Sequence, residues 1–436
     1  MTISVAIVGS GPAGFYTADA LTSADDAVAV DIIDRLPTPY GLIRGGVAPD
    51  HQTTKNVQKK YEATALRDQV RFFGNVEVGR DVSLDELRAA YDAVVLAVGA
   101  PNDRPLGIPG EDKKGVIGSA AYVGWYNGHP DFRDLDPDLN VGAVAVIGVG
   151  NVAIDVARLL SRSRDELAET DLPDYAEKAI LASPVTDIWL LGRRGPVEAK
   201  FTNVELREMG RLSEGRPMVK AEQLPTDVGD LPERDKRLKE RNLETLREFS
   251  ARAPGNRPKR VHFEFYAAPV EVLGGERVEG LKVERTKVEG GRAVGTGEFF
   301  DIPCGLIVAA IGYRGAPVAG APFDQKNGVV PNDDGRVADG LYAVGWIKRG
   351  PTGVISSNRP DGVAVAQHIR EDFADAAGSK PGRPALEKLL GDRKVRVVSF
   401  HDWKRLEAAE AKNGWAKRPR KKFVAVRDML DYLNGR

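Results

Sequence analysis

Two strand–glycine turn–helix patterns lie in one chain, and they dictate most of what it can fold into. The first is Gly9-Ser10-Gly11-Pro12-Ala13-Gly14, directly after the apolar run Val5-Ala6-Ile7-Val8. The second is Gly148-Val149-Gly150-Asn151-Val152-Ala153, directly after Val144-Ala145-Val146-Ile147. In such a dinucleotide fingerprint the first glycine makes the tight turn and the second lets the backbone approach pyrophosphate. The third lets the helix lie close to the strand. The helix start then offers unpaired N–H groups and a positive dipole end. The strand after the first fingerprint ends on Asp34, the strand after the second on Arg193-Arg194. A carboxylate accepts from two free ribose hydroxyls, whereas paired guanidinium groups suit a ribose 2′-phosphate. Two different dinucleotides in one chain predict electrons passing from one to the other. Gly14 to Asp34 spans 20 residues, but Ala153 to Arg193 spans 40, with a long insert over Ala168 to Pro184. That spacing fits the pattern only if the insert is a local excursion.

Composition narrows the class. At 436 residues, with 42% apolar and 29% charged content, the chain suits a soluble protein of two or three domains. A net charge of −1 speaks against a general nucleic-acid or membrane binder. Cys304 is the only cysteine, so no internal disulfide, dithiol pair or cysteine-ligated cluster can form. It lies in an apolar run and reads as a small core residue. No run is long enough to cross a bilayer, and the first strand starts so near Met1 that no leader is expected. The expected location is cytoplasmic. The five histidines are too scattered to predict a metal site.

The fold class expected is α/β, with two Rossmann-like three-layer dinucleotide-binding domains, one inserted into the other. The outer domain is placed at residues 1–106 and 312–436, the inserted one at 107–311. Helices are expected at Gly14 to Ser23 and Asn56 to Arg67, with strands at Val28 to Ile33, Val70 to Phe73 and Val76 to Val78. Tyr91 to Gly99 reads as a strand buried on both faces, ending on a glycine able to abut a dinucleotide. The segment Pro39 to His51 has no period and reads as a long ordered loop. Near the end, Leu341 to Trp346 leads through Lys348 to Ile355 into a helix from about Asp361. Backbone N–H groups around Gly353, Val354 and Ile355 suit negative charge on a reduced flavin. Basic residues concentrate at 192–260, with seventeen Lys or Arg against twelve Asp or Glu, and again at Lys417 to Lys422. Solvated faces are the ordinary reading of such runs.

These blocks resemble the adrenodoxin reductase type of ferredoxin–NADP+ reductase. The resemblance rests on Val8 to Tyr16, Tyr40-Gly41-Leu42-Ile43-Arg44 with Val47 to His51, and Gly148 to Arg158. It continues through Gly192-Arg193-Arg194-Gly195-Pro196 and Gly345 to Ile355, in family order across nearly the whole chain. Trp346 stands where many two-dinucleotide flavoproteins carry an Asp. The resemblance implies FAD at the first fingerprint, on Gly9, Gly11, Pro12, Ala13, Gly14, Asp34, Arg35, Gly41, Leu42, Arg44, Val47, Val78, Gly99, Trp346, Gly353, Val354 and Ile355. It implies NADPH at the second, on Gly148, Gly150, Asn151, Val152, Arg193, Arg194 and Glu205, with Trp346 and Gly353 where nicotinamide meets flavin. His51, Asp155 and Glu208 match polar positions thought to organise proton or electron traffic, Trp346 joining them as a catalytic candidate. A structural, hydrogen-bonded histidine is an equal reading of His51.

The activity implied is that of an NADPH-dependent ferredoxin reductase passing electrons through FAD to a [2Fe–2S] ferredoxin that serves an oxygenase or cytochrome P450 system. A flavin takes a hydride and returns electrons singly. An acidic ferredoxin would dock transiently on the basic surplus, with Arg207, Arg211, Arg237, Lys239 and Arg241 as candidates and a monomer as the expected state. Alternatives are a subunit of a glutamate synthase-like complex, a flavin monooxygenase, or a non-catalytic NADPH-binding module.

Overall fold

Along Ile3–Val8 every residue is buried, but alternate side chains go to opposite sides: Val5 and Ile7 to one core, Ala6 and Val8 to another. A strand buried on both faces belongs inside a parallel sheet covered on both sides. The computed structural model describes residues 2–23, 27–253, 255–374, 378–415 and 417–435. They divide into two compact units, one of residues 1–102, 127–130 and 313–436, the other of residues 103–126 and 131–312.

In the first unit the sheet order is Arg336–Ala338, Leu341–Ala343, Ala93–Leu96, Ile3–Val8, Val28–Asp34 and Val70–Gly74. All neighbours run parallel except the edge strand Arg336–Ala338. Helices Pro12–Thr22 and Asn358–Asp372 pack together over the Val5 and Ile7 face. Leu84 and Leu87 of helix Leu84–Ala90, with Leu386 and Leu390 of helix Arg383–Asp392, cover the other. The loop from Pro39 contains a helical turn, Leu42–Gly45, and the expected helix from Asn56 runs over Gln58–Ala65. No strand forms at 76–78. Asn75 turns the chain with φ 60°, and Val78 makes only an isolated bridge to Val82.

The basic run near the carboxyl terminus departs from the solvated-face reading. Arg418 and Lys422 are buried, and Lys422 Nζ donates to the Asn127 carbonyl at 3.1 Å. Beside this segment lies Glu410, whose fully buried carboxylate accepts from Arg44 and from the Phe423 amide and has Arg420 Nη1 at 3.9 Å. A buried charge must be paired, and the inward fold of the segment brings it a cation and an amide.

The second unit has an all-parallel sheet in the order Val116–Gly118, Leu306–Ala309, Ala143–Ile147, Asp187–Gly192, Lys259–Phe265 and Gly215–Val219. The long insert is helical, with Asp174–Ala182 at its centre, and the strands flanking it still pair Val144 with Ile188. It is a local excursion. Helices cover the Val144, Ile188 and Val308 face. The opposite face departs from helix–sheet–helix layering. There Ala145, Leu191 and Ile307 pack against a three-stranded antiparallel sheet, Ala267–Leu273, Gly280–Glu289 and Arg292–Pro303.

Cys304 lies in the core between these two sheets at 5% exposure, and burial pushes its thiol up to about 12. The thiolate is the reactive form. A thiol reagent at pH 8 is therefore expected to label the folded protein at least about tenfold slower than the unfolded one, by absorbance; rapid native labelling would contradict this packing. No helix among the described residues is long and apolar enough to cross a membrane.

Candidate functional site

The first glycine turn is shaped by what has no room and by what is left open. A β-carbon on Gly9, which has φ +110°, would lie 2.4 Å from the Ala97 carbonyl oxygen. One on Gly14 would lie 2.1 Å from the Gly9 carbonyl oxygen. At Gly11 nothing stands within 4 Å, so the space beside the helix start is open. Gly11 caps helix Pro12–Thr22 with no side-chain hydrogen bond, and Pro12 occupies the first turn, where no N–H is missed. Ser10, which could have capped, turns away. Its amide and hydroxyl donate to Asp34 Oδ2, and the Leu36 amide donates to Asp34 Oδ1 at 3.0 Å. The acid is thus held at the strand end beside an uncapped helix start, an arrangement that fits a dinucleotide pyrophosphate and ribose.

Other segments of this unit close around the turn. The Tyr40 amide donates to the Ser10 carbonyl at 3.0 Å, and Gly41 lies so near Gly11 that a β-carbon would meet its Cα at 2.9 Å. From the next strand end, Gly345 approaches Ala13, where a β-carbon would come within 2.6 Å of the alanine's own. Asp361 fixes that segment, accepting from the Gly345 amide and pairing with Arg349 at 3.1 Å. Trp346 follows, its ring stacked on Tyr313 at 5.8 Å and its Nε1 donating to the Thr352 carbonyl. Gly353 takes φ +84°, and the Val354 amide donates to Ser357 Oγ. Leu42 and Val354 remain 46% and 58% exposed, apolar groups available to a flat ring. Gly99 likewise has nothing within 4 Å of a β-carbon.

The remaining residues expected in this site sit less openly. Val47 and Ile355 pack partly buried on the first core, and Val78 packs on the second. Arg35 is exposed. Arg44 is committed to Glu410, and its guanidinium lies over the Trp403 ring at 5.1 Å. Its contribution to a ligand would come through the shape of the loop. His51 begins the short helix Gln52–Lys55 and is half-buried.

In the second unit the same physics recurs with one change. A β-carbon on Gly148 would lie 2.3 Å from the Ala310 carbonyl oxygen, while Gly150 again faces open space. Helix Asn151–Ser161 starts without a side-chain cap. Ala153 fills the third position and is completely buried, so this helix packs with room for one methyl group. Asn151 Oδ1 accepts from the Thr202 amide at 2.8 Å, and Val152 packs partly buried on the core. Their side chains brace the turn and leave its N–H groups for a ligand.

At the end of strand Asp187–Gly192 the backbone is held from two sides. Thr286 Oγ1 donates to the Arg193 carbonyl at 2.8 Å, and the Tyr266 amide donates to the Arg194 carbonyl at 3.1 Å. Gly195 admits the Tyr266 side chain, whose hydroxyl a β-carbon would meet at 2.4 Å. Arg193 and Arg194 line a cavity of about 590 Å³. Glu205, expected at the same phosphate, is not among its lining residues. Its carboxylate pairs with Arg158 at 3.0 Å, and so do Asp155 at 2.7 Å and Glu208 at 3.5 Å. Arg158 is fully buried and holds three carboxylates at once. The sequence signal for this role is a basic residue on the apolar side of the amphipathic helix Asn151–Ser161.

The docking candidates divide. Arg207, Arg211, Arg237 and Arg241 are exposed, but Lys239 is spent internally, its Nζ donating to the Ala199 carbonyl. Desolvation lowers its pKa, as burial of an ammonium must.

Two glycine turns, one beside an acid and one beside two arginines, define a two-dinucleotide oxidoreductase. A family profile described as pyridine nucleotide-disulphide oxidoreductase matches residues 3–174. With one buried cysteine, this chain has no disulphide of its own to exchange. The chain is 43% identical to mouse NADPH:adrenodoxin oxidoreductase over 99% of its length and 92% of the relative's. It is 40% identical to the NADPH-ferredoxin reductase FprA of Mycobacterium leprae, over 99% and 98%. The structure of Mycobacterium tuberculosis FprA in complex with NADPH superposes with a TM-score of 0.94 at 38% identity, covering 100% of both chains. The chain belongs to the adrenodoxin reductase family of ferredoxin reductases.

The two classes of glycine should respond differently to alanine. Gly14→Ala is expected to cost about 2–4 kcal/mol of stability, because a β-carbon 2.1 Å from a backbone carbonyl oxygen forces helix and strand apart. Gly11→Ala should stay within about 1 kcal/mol of the parent while retaining less dinucleotide through purification. Thermal melts with absorbance measure both, and equal destabilisation of the two variants would contradict the geometry.

Proposed function

We propose that this protein is an NADPH-dependent, FAD-containing ferredoxin reductase, with FAD at the first glycine turn and NADPH at the second. The observation that carries the assignment is the contrast between strand ends: Asp34, pinned by Ser10, against Arg193 and Arg194 lining a cavity. A carboxylate there would repel a 2′-phosphate, and two guanidinium groups would attract one. Bound FAD supplies the exchange between paired and single electrons that links a nicotinamide to an iron–sulfur carrier.

The chain's own residues bind, orient and exclude. Open space at Gly11 and Gly150 admits phosphate to two uncapped helix starts. Leu42, Val354 and the Trp346 ring offer apolar surface that would receive the flavin, and the glycine turn at Gly353 would bring backbone near its negative end. In this reading His51, Asp155 and Glu208 are proton-handling groups. Arg158, through its pairs with Asp155 and Glu208, keeps two of them in place.

Removing one arginine should remove one charge-assisted bond, worth roughly 1.5–3 kcal/mol. Arg193→Ala and Arg194→Ala are each expected to weaken NADPH roughly 10- to 150-fold with little change for NADH. Steady-state kinetics with an artificial acceptor measure this. If the parent used both nucleotides equally, the assignment of the second site would fail.

The partner proposed is an acidic [2Fe–2S] ferredoxin, met by Arg207, Arg211, Arg237 and Arg241 on the exposed surface of the second unit. Rim charges steer encounter and are screened by salt. Ferredoxin-dependent turnover should therefore fall several-fold between about 50 and 300 mM salt, while turnover with a neutral acceptor holds steady. A salt-independent rate would remove these residues from the docking surface. A monomer in the cytoplasm completes the proposal.

A further inference from the structure

The cavity beside Arg193 and Arg194 has a wall from an element with no place in the glycine fingerprint. Strands Gly280–Glu289 and Arg292–Pro303 form a hairpin whose closing pair is Glu289 with Arg292. Between them stand Gly290 at φ 54° and Gly291 at φ 75°. Two consecutive left-handed residues make the tight turn that matches strand twist, and glycine adopts it without strain. The turn reaches the strand end: Arg194 Nη1 donates to the Gly291 carbonyl at 3.2 Å. Thr286, buried on the same hairpin, holds the Arg193 carbonyl. The hairpin is thus hydrogen-bonded to both arginine positions, and its register sets where Arg292 stands.

Arg292 lines the same cavity as Arg193 and Arg194. Cations there outnumber the single carboxylate, Glu284, three to one. That carboxylate is itself engaged, accepting from the Gly297 amide at 3.0 Å. A phosphate monoester carries about −1.5 to −2 charge at neutral pH and three strong acceptor oxygens. Three guanidinium groups around one pocket match both its charge and its number of acceptors. We propose that Arg292 is a third cation of the 2′-phosphate site, making the hairpin turn a determinant of the choice between NADPH and NADH. This inference rests on the assignment of Arg193 and Arg194 made above.

The test is calorimetric titration of the FAD-loaded protein with 2′,5′-ADP and with 5′-AMP, which lacks the 2′-phosphate. Arg292→Ala is expected to weaken 2′,5′-ADP about 5- to 10-fold, less than a full charge-assisted bond because the side chain is exposed and screened. Affinity for 5′-AMP and the melting temperature should not change. Arg193→Ala is measured in parallel. If it weakens 2′,5′-ADP and Arg292→Ala does not, the role of Arg292 is overturned while the arginine pair stands. If neither variant changes affinity, the site assignment beneath the inference fails as well. An equal loss for both nucleotides in Arg292→Ala would also overturn it, since the effect would not concern the 2′-phosphate.

Discussion

A β-carbon on Gly14 would lie 2.1 Å from the carbonyl oxygen of Gly9, so the first helix approaches its strand only because hydrogen stands there. Most of the first site depends on that closeness. It brings the helix start to the strand's carboxyl end, where unpaired N–H groups gather. It also leaves Gly11 facing open space, and Gly41 and Gly345 can then close in from two other segments. The second unit relaxes the constraint by one methyl group at Ala153 and keeps it at Gly148, which the Ala310 carbonyl crowds instead. The two units share a geometry and differ in tolerance.

Charge then separates what geometry makes alike. Asp34 spends both its oxygens on backbone and hydroxyl donors, which fixes its position. Arg193 and Arg194 are fixed through their carbonyls, leaving the guanidinium groups to the cavity and the hairpin turn. Elsewhere charge is structural. Arg158 holds three carboxylates, and Glu410 gathers Arg44 and the carboxyl-terminal segment. Both are buried, where an unpaired charge would be costly, so these networks constrain position.

Much of the fold could be read from residues in order. Apolar runs buried on both faces, glycine spacing and strand-end charges predicted the parallel strands and the helices after them. The doubled spacing between Ala153 and Arg193 was ambiguous, because a helical insert and a broken motif look alike in sequence. Glu205 illustrates a different limit: an acid near a basic strand end in sequence carries no distance, and its pair with buried Arg158 is seen only in the structure. The basic run Lys417 to Lys422 is opaque for the same reason: Glu410, near Arg420, is legible as a counter-charge only once helix Phe400–Lys412 is seen to bury it.

By itself, the sequence determined the two turns, the strands that feed them and the sign of charge at each strand end, since these follow from short-range sterics and alternation. Only the tertiary structure decided which carboxylates surround Arg158, that the second sheet is backed by an antiparallel sheet, and that Arg292 joins Arg193 and Arg194 at one cavity. Arg292 is about a hundred residues from that pair in the chain. Local periodicity carries no information over such a separation, whereas hairpin register and packing do.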